Sequence, residues 1–135
     1  DRSVSRGLGD VYKRQAKGRL QAIIDFERSH YQVQLYDIGM AVVGTCAAQN
    51  VVNLPKARAL VAGYESQRPL QTAEKESLQL LVRYCALLTA VWRFWKYHLD
   101  TPTSDKKAEH EKMIKIAEDV QAYSAPDFAK AIFGS

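Results

Sequence analysis

The sequence predicts a mainly α-helical domain with one short strand or hairpin near its N-terminal end. Three observations carry that prediction. From Leu35 onward, apolar residues recur at three- and four-residue steps over most of the chain. Helix-start residues at Asp37, Asn53 and Thr72, and breakers at Arg68-Pro69, Asp100-Thr101-Pro102 and Gly134, cut those steps into five segments. One continuous apolar run, Leu20-Gln21-Ala22-Ile23-Ile24-Asp25-Phe26, has strand length and follows a turn at Lys17-Gly18.

Taken in order, the strand spans Leu20 to Phe26, and Val11 to Gln15 can lie beside it across an Ala16–Arg19 turn. Glu27 to Gln34 is polar and is read as a loop, with His30 a solvated side chain. Asp37 is expected to start and cap a helix running to about Gln49. Its small residues Gly39, Ala41, Gly44, Ala47 and Ala48 suit close packing against a neighbour. Asn53, followed by Leu54-Pro55, is a good N-cap with Pro in the first turn of a helix ending near Gly63-Tyr64. Glu65 to Gln71 is a loop.

Thr72 is expected to cap the longest helix. Leu78, Leu81, Val82, Cys85, Leu88, Trp92, Trp95 and Leu99 form its apolar stripe, which assigns both tryptophans to the core. Arg83, Arg93 and Lys96 interrupt the apolar side. A fourth helix is expected from about Lys106 to Tyr123, capped by Ser104 or Asp105, with Met113, Ile116, Ala117 and Val120 buried. A fifth runs from Pro126 to Phe133 and stops at Gly134.

The chain has 135 residues, enough for one domain with its own core. Its 47% hydrophobic and 25% charged content is ordinary for a globular chain. No apolar run approaches the roughly 20 residues of a membrane span. The first residues lack the apolar segment of a secretion signal. The net charge is +4, of which residues 1–15 contribute +2 through Arg2, Arg6, Lys13 and Arg14 against Asp1 and Asp10. What remains is mildly basic, with no basic face interleaved with aromatics, so nucleic acid is not an expected partner. Cys46 and Cys85 fall inside apolar helical patterns without Cys-x-x-Cys or Cys/His clustering. They are read as reduced core cysteines of a cytoplasmic protein, not as a zinc site.

Residues 1–15 show no hydrophobic period. The segment Asp10-Val11-Tyr12-Lys13-Arg14-Gln15 looks like the in-frame translation of a transposon-end sequencing adapter. Residues 1–15 are therefore set apart as a non-native or disordered leader, and 16–135 as the domain.

Candidate chemistry centres on Asp25, a carboxylate at the end of a strand and next to an aromatic. The ordinary alternative is a turn or capping residue. By their pattern alone the five amphipathic helices are equally consistent with an interaction module that does no chemistry.

The ordered set Ile23-Ile24-Asp25-Phe26-Glu27, Leu35-Tyr36-Asp37-Ile38-Gly39, Gly63-Tyr64-Glu65-Ser66-Gln67-Arg68-Pro69-Leu70 and Ala90-Val91-Trp92-Arg93-Phe94-Trp95 resembles the C-terminal lobe of the aminoglycoside phosphotransferase superfamily, a protein kinase-like fold. Within it the resemblance points toward homoserine kinase type II and its relatives. The first two segments are shared broadly; the third is narrower. The resemblance implies transfer of the ATP γ-phosphoryl group to a small-molecule hydroxyl, on homoserine or a similar amino alcohol or an aminoglycoside. It implies that Asp25 holds Mg²⁺ between ATP phosphates, that Ile24 faces the adenine pocket, and that Asp37 is a buried scaffolding carboxylate. Arg68, Arg83, Trp92 and Arg93 are acceptor-side candidates by position only.

The family's His-Gly-Asp motif, with Asn five residues later, does not occur in the sequence, nor does the N-lobe with its Lys–Glu pair. The expectation is a C-terminal kinase fragment, inactive alone, carrying one metal ligand and no catalytic-loop Asp or Asn. Such a fragment is expected to self-associate through surface that faced the other lobe.

Overall fold

The computed structural model describes the backbone of residues 12–16 and 19–24, and then residues 33–102 and 104–134. Strands β1 (Tyr12–Ala16) and β2 (Arg19–Ile24) form an antiparallel hairpin in which Tyr12 is opposite Ile24 and Ala16 opposite Arg19. The register shifts once, between Arg14 and Gln15. The expected hairpin is therefore present, one residue out of the expected place on its first strand.

Helix α1 (Gln34–Ala41) begins three residues before the expected Asp37 and carries no side-chain N-cap. Asp37 sits in its first turn, where a negative charge suits the helix dipole, but it does not start the helix. The expectation of one helix to Gln49 is corrected. After α1 a π-helical turn, Val42–Cys46, leads into a two-residue strand, β3 (Ala47–Ala48), paired antiparallel with β4 (Val51–Val52). Gln49 (φ 53°) and Asn50 (φ 69°) both take left-handed backbone, as a primed hairpin turn requires. That conformation ends the helical path.

Helix α2 (Leu54–Glu65) is capped as expected: the Asn53 side-chain oxygen accepts from the Lys56 N–H at 2.9 Å, with Pro55 in the first turn. Helix α3 (Thr72–Trp95) is preceded by Gln71 as N-cap, one residue before the expected Thr72. The Gln71 N–H donates to Glu74 Oε2 at 2.8 Å. A π-helical turn, Lys96–Asp100, continues α3 to the predicted break. Helix α4 (Glu109–Gln121) starts about a turn later than expected, after a 3₁₀ turn at Ser104–Lys106 and with Ala108 as its N-cap. Helix α5 (Ala125–Phe133) has Ser124 as N-cap and closes on Gly134 at φ 74°, a left-handed C-terminal stop.

Helix α3 is the axis of the helical part, lying against α1, α4 and α5, while α2 packs on α5 and β4 on α4. The core joins Leu35, Ile38 and Val42 from the α1 region, Leu78, Val82 and Cys85 from α3, Ile116 and Val120 from α4, and Phe128 and Ile132 from α5. The close approach of α1 to α3 depends on Gly39. A Cβ there would lie 2.8 Å from Cys85 Sγ and 3.1 Å from the Leu81 carbonyl oxygen.

The assignment of Trp92 and Trp95 to the core is overturned. Both are exposed, as are Leu88 and Leu99 from the same expected stripe. Helix α3 is apolar on more than one side, and its buried side is Leu78, Val82, Cys85, Ala86 and Ala90. Among the described residues no helix is long and apolar enough to cross a membrane.

Candidate functional site

The proposed metal ligand, Asp25, follows the last residue of β2 and lies outside the described residues, as does the side chain of Ile24. Around Asp37, the other carboxylate that the resemblance singles out, the geometry is on view. Asp37 is exposed at the start of α1, where the resemblance implies a buried group. The fourth position of a helix that begins at Gln34 points its side chain off the α1–α3 contact made by Leu35, Ile38 and Gly39.

Beneath Asp37 lies a buried thiol. Cys85 Sγ is 3.7 Å from the Tyr36 carbonyl oxygen, to which it donates. The Tyr36 and Tyr84 rings meet edge-on with centroids 6.4 Å apart. Burial pushes the Cys85 thiol up to about 12, and the Asp37 carboxylate adds to the shift. The Tyr36 phenol is raised as well, by burial first and then by Cys85, Tyr84 and Asp37. A thiol held protonated in this way is a packing group and not a nucleophile. Cys46 is likewise buried, and neither cysteine is in a disulfide.

The loop carrying Arg68 is tied to α3 by a double use of one carboxylate. Arg68 Nη2 donates to Glu74 Oε1 at 2.8 Å while Glu74 Oε2 takes the Gln71 N–H. The Arg68 hydrogen bond and then the Gln71 amide hold the Glu74 carboxyl below its usual range. Glu65 pairs with Lys75 at 2.8 Å across the same loop. The Gly63 to Leu70 segment thus fastens α2 to α3, with Leu70 buried.

Arg93, at the far end of α3, donates from Nη1 to the Glu109 carbonyl at 3.2 Å and lies 3.4 Å from Glu109 Oε2. Beside it, Phe94 stacks on His98 (4.4 Å) and meets His110 edge-on (5.3 Å). Nε2 of His98 and Nδ1 of His110 both approach the Lys107 carbonyl, at 3.0 and 2.7 Å. Sequence reading missed this pair, because the residues sit on either side of the Pro102 break with no periodic signal. Trp92 meets Tyr97 edge-on at 6.4 Å.

The acceptor-side candidates do not converge. Glu74, which holds Arg68, is about 14 Å from Arg83 and about 28 Å from Arg93 along the axis of α3 at 1.5 Å per residue. Arg83 and Trp92, nine residues apart, fall on opposite sides of α3 at about 100° per residue. Among the described residues no group of three or more His, Cys, Asp or Glu side chains could hold a metal ion. The fit of a cation therefore rests on Asp25, whose hard oxygen donors are of the type Mg²⁺ takes.

The chain is similar to homoserine kinases over part of its length. It is 37% identical over 83 residues to the homoserine kinase of Phenylobacterium zucineum, covering 61% of this chain and 26% of that enzyme. It is 37% identical over 71 residues to that of a Caulobacter species, covering 52% of this chain and 22% of the enzyme. A longer match, 29% identical over 113 residues to the homoserine kinase of Acidiphilium cryptum, covers 81% of this chain and 35% of the enzyme. The chain thus spans between a fifth and about a third of the length of these relatives. No family model matches the chain. No solved structure matches it either.

Proposed function

We propose that this chain is part of an ATP-dependent small-molecule kinase of the homoserine kinase type, within the aminoglycoside phosphotransferase superfamily. The whole protein would move the ATP γ-phosphoryl group to a hydroxyl of homoserine or a similar amino alcohol. The observation that supports this is the shared sequence with homoserine kinases over more than half the chain. Asp25 is the proposed Mg²⁺ ligand, Ile24 the adenine contact and Asp37 a scaffolding group for an upstream loop. Bound Mg²⁺ supplies charge neutralisation at the phosphates; the protein supplies position. Arg68 and Arg93 are each engaged with a carboxylate, Glu74 and Glu109. Arg83 makes no ion pair among the described residues, which favours it as the acceptor-side cation.

The test is an ATP turnover assay with the full-length gene product over a panel of homoserine, choline and an aminoglycoside. The expected result is activity with an amino alcohol, reduced by about 10²-fold or more in Asp25→Ala, the scale on which a preorganised charge contact acts. The 135-residue chain alone is expected to be inactive. Full activity in Asp25→Ala, or phosphorylation by the short chain alone, overturns the reading.

A further inference from the structure

We propose that the outward face of α3 docks a second copy of this chain, the two α3 helices crossing antiparallel about Leu87. The inference does not depend on the kinase reading.

Between Leu80 and Trp95 the only charged residues are Arg83 and Arg93. Over the same stretch Leu80, Tyr84, Leu87, Val91 and Trp95 recur at steps of four, three, four and four, and so share one side of the helix. That side is opposite the buried one. Their exposures are 63%, 50%, 39%, 66% and 48%. Leu88, Trp92, Phe94 and Leu99 extend the patch and are exposed too. Together these side chains leave on the order of 800 Å² open to water, where the largest patch on an ordinary monomer is about 300–600 Å². About 800 Å² from each partner is the area of a standard stable interface.

The stripe fits itself better than it fits an arbitrary partner. It is nearly symmetric about Leu87-Leu88. In an antiparallel pair Leu80 meets the partner's Trp95, Tyr84 meets the partner's Val91, and Leu87 lies beside the partner's Leu88. Each ring is set against an aliphatic side chain. A parallel pair would instead stack Trp95 on Trp95 and Val91 on Val91. Steps of four and three are those of helices crossing at about 20°. Antiparallel crossing also opposes the two helix dipoles. A two-fold contact of this kind closes as a dimer.

Sedimentation equilibrium of the 135-residue chain over a range of concentrations tests the proposal. A monomer–dimer equilibrium is expected, shifted to monomer at least tenfold in concentration by Leu87→Glu, with the melting transition kept. Cross-linking checks the register without relying on that variant. Leu87→Cys, next to the two-fold axis, is expected to form a disulfide dimer on mild oxidation. Leu80→Cys alone is expected not to, whereas Leu80→Cys with Trp95→Cys is expected to. The native thiols are buried, so they contribute little background. A monomer at every concentration overturns the proposal. So does a monomer whose outward face is shielded only when the upstream part of a longer protein is present, or that binds lipid vesicles instead. Self-cross-linking of Leu80→Cys alone overturns the antiparallel register.

Discussion

The two faces of α3 are both apolar and behave in opposite ways. The inward face is Leu78, Val82, Cys85, Ala86 and Ala90, four of its five residues no larger than valine, and all of them buried. The outward face is Leu80, Tyr84, Leu87, Val91 and Trp95, larger on average and exposed. Hydrophobicity alone therefore does not choose the buried side of a helix. Small side chains let α1 approach until Gly39 has no room for a Cβ beside Cys85 and Leu81. Interior packing at near-crystal density then fixes that side.

Leu78→Ala is expected to destabilise the chain by about 2–5 kcal/mol through the cavity it leaves, read by urea unfolding. Its outward counterpart, Leu80→Ala, is expected to stay within about 0.5 kcal/mol when measured at a dilution where the chain is monomeric. Equal costs for the two variants would show that both faces are packed alike. Next in size is Gly39→Ala, expected to cost about 1–3 kcal/mol by overpacking. Adding Cys85→Ala removes the contact with Sγ at 2.8 Å and leaves the Leu81 carbonyl at 3.1 Å, so only part of that loss is expected back.

The effect that is smallest at neutral pH, and grows only in the alkaline range, is electrostatic. Burial and Asp37 push the Cys85 thiol up to about 12, so the folded chain keeps a proton that the unfolded chain releases at ordinary thiol pH. The resulting stabilisation is complete below the unfolded thiol's pKa and is lost as pH rises through about 12. Cys85→Ala is expected to flatten this alkaline limb of a stability-against-pH curve. An unchanged limb would show that Cys85 is not buried on the inward face.

Much of the helical framework was legible from the residues. Asn53 and Pro55 mark the start of α2, and Gly134 marks the end of α5, because caps and stops act through local hydrogen bonds and backbone conformation. The period of α3 was legible too, but its orientation was not. When a helix is apolar nearly all round, its spacing reveals the axis and not the side that meets the core. The tryptophans were misplaced for that reason. The β3–β4 hairpin was missed because its strands are two residues long and Gln49 gives no turn signal, although Asn50 tolerates left-handed backbone. Of the site, the sequence singled out Arg68 and Arg93 as ligand candidates. Their carboxylate partners, Glu74 and Glu109, became visible only once the loop and the α3–α4 contact were formed.

One tertiary hydrogen bond bears on the order in which the chain assembles. The Val52 amide donates to Asp119 Oδ2 at 2.9 Å, a link between residues 67 positions apart. During synthesis from the N-terminus, β4 leaves the ribosome long before its α4 anchor exists. The Val52 amide has no such partner until α4 has emerged as well. A contact of such long range carries the closure entropy of the whole intervening stretch, which the α3–α4 packing has to supply.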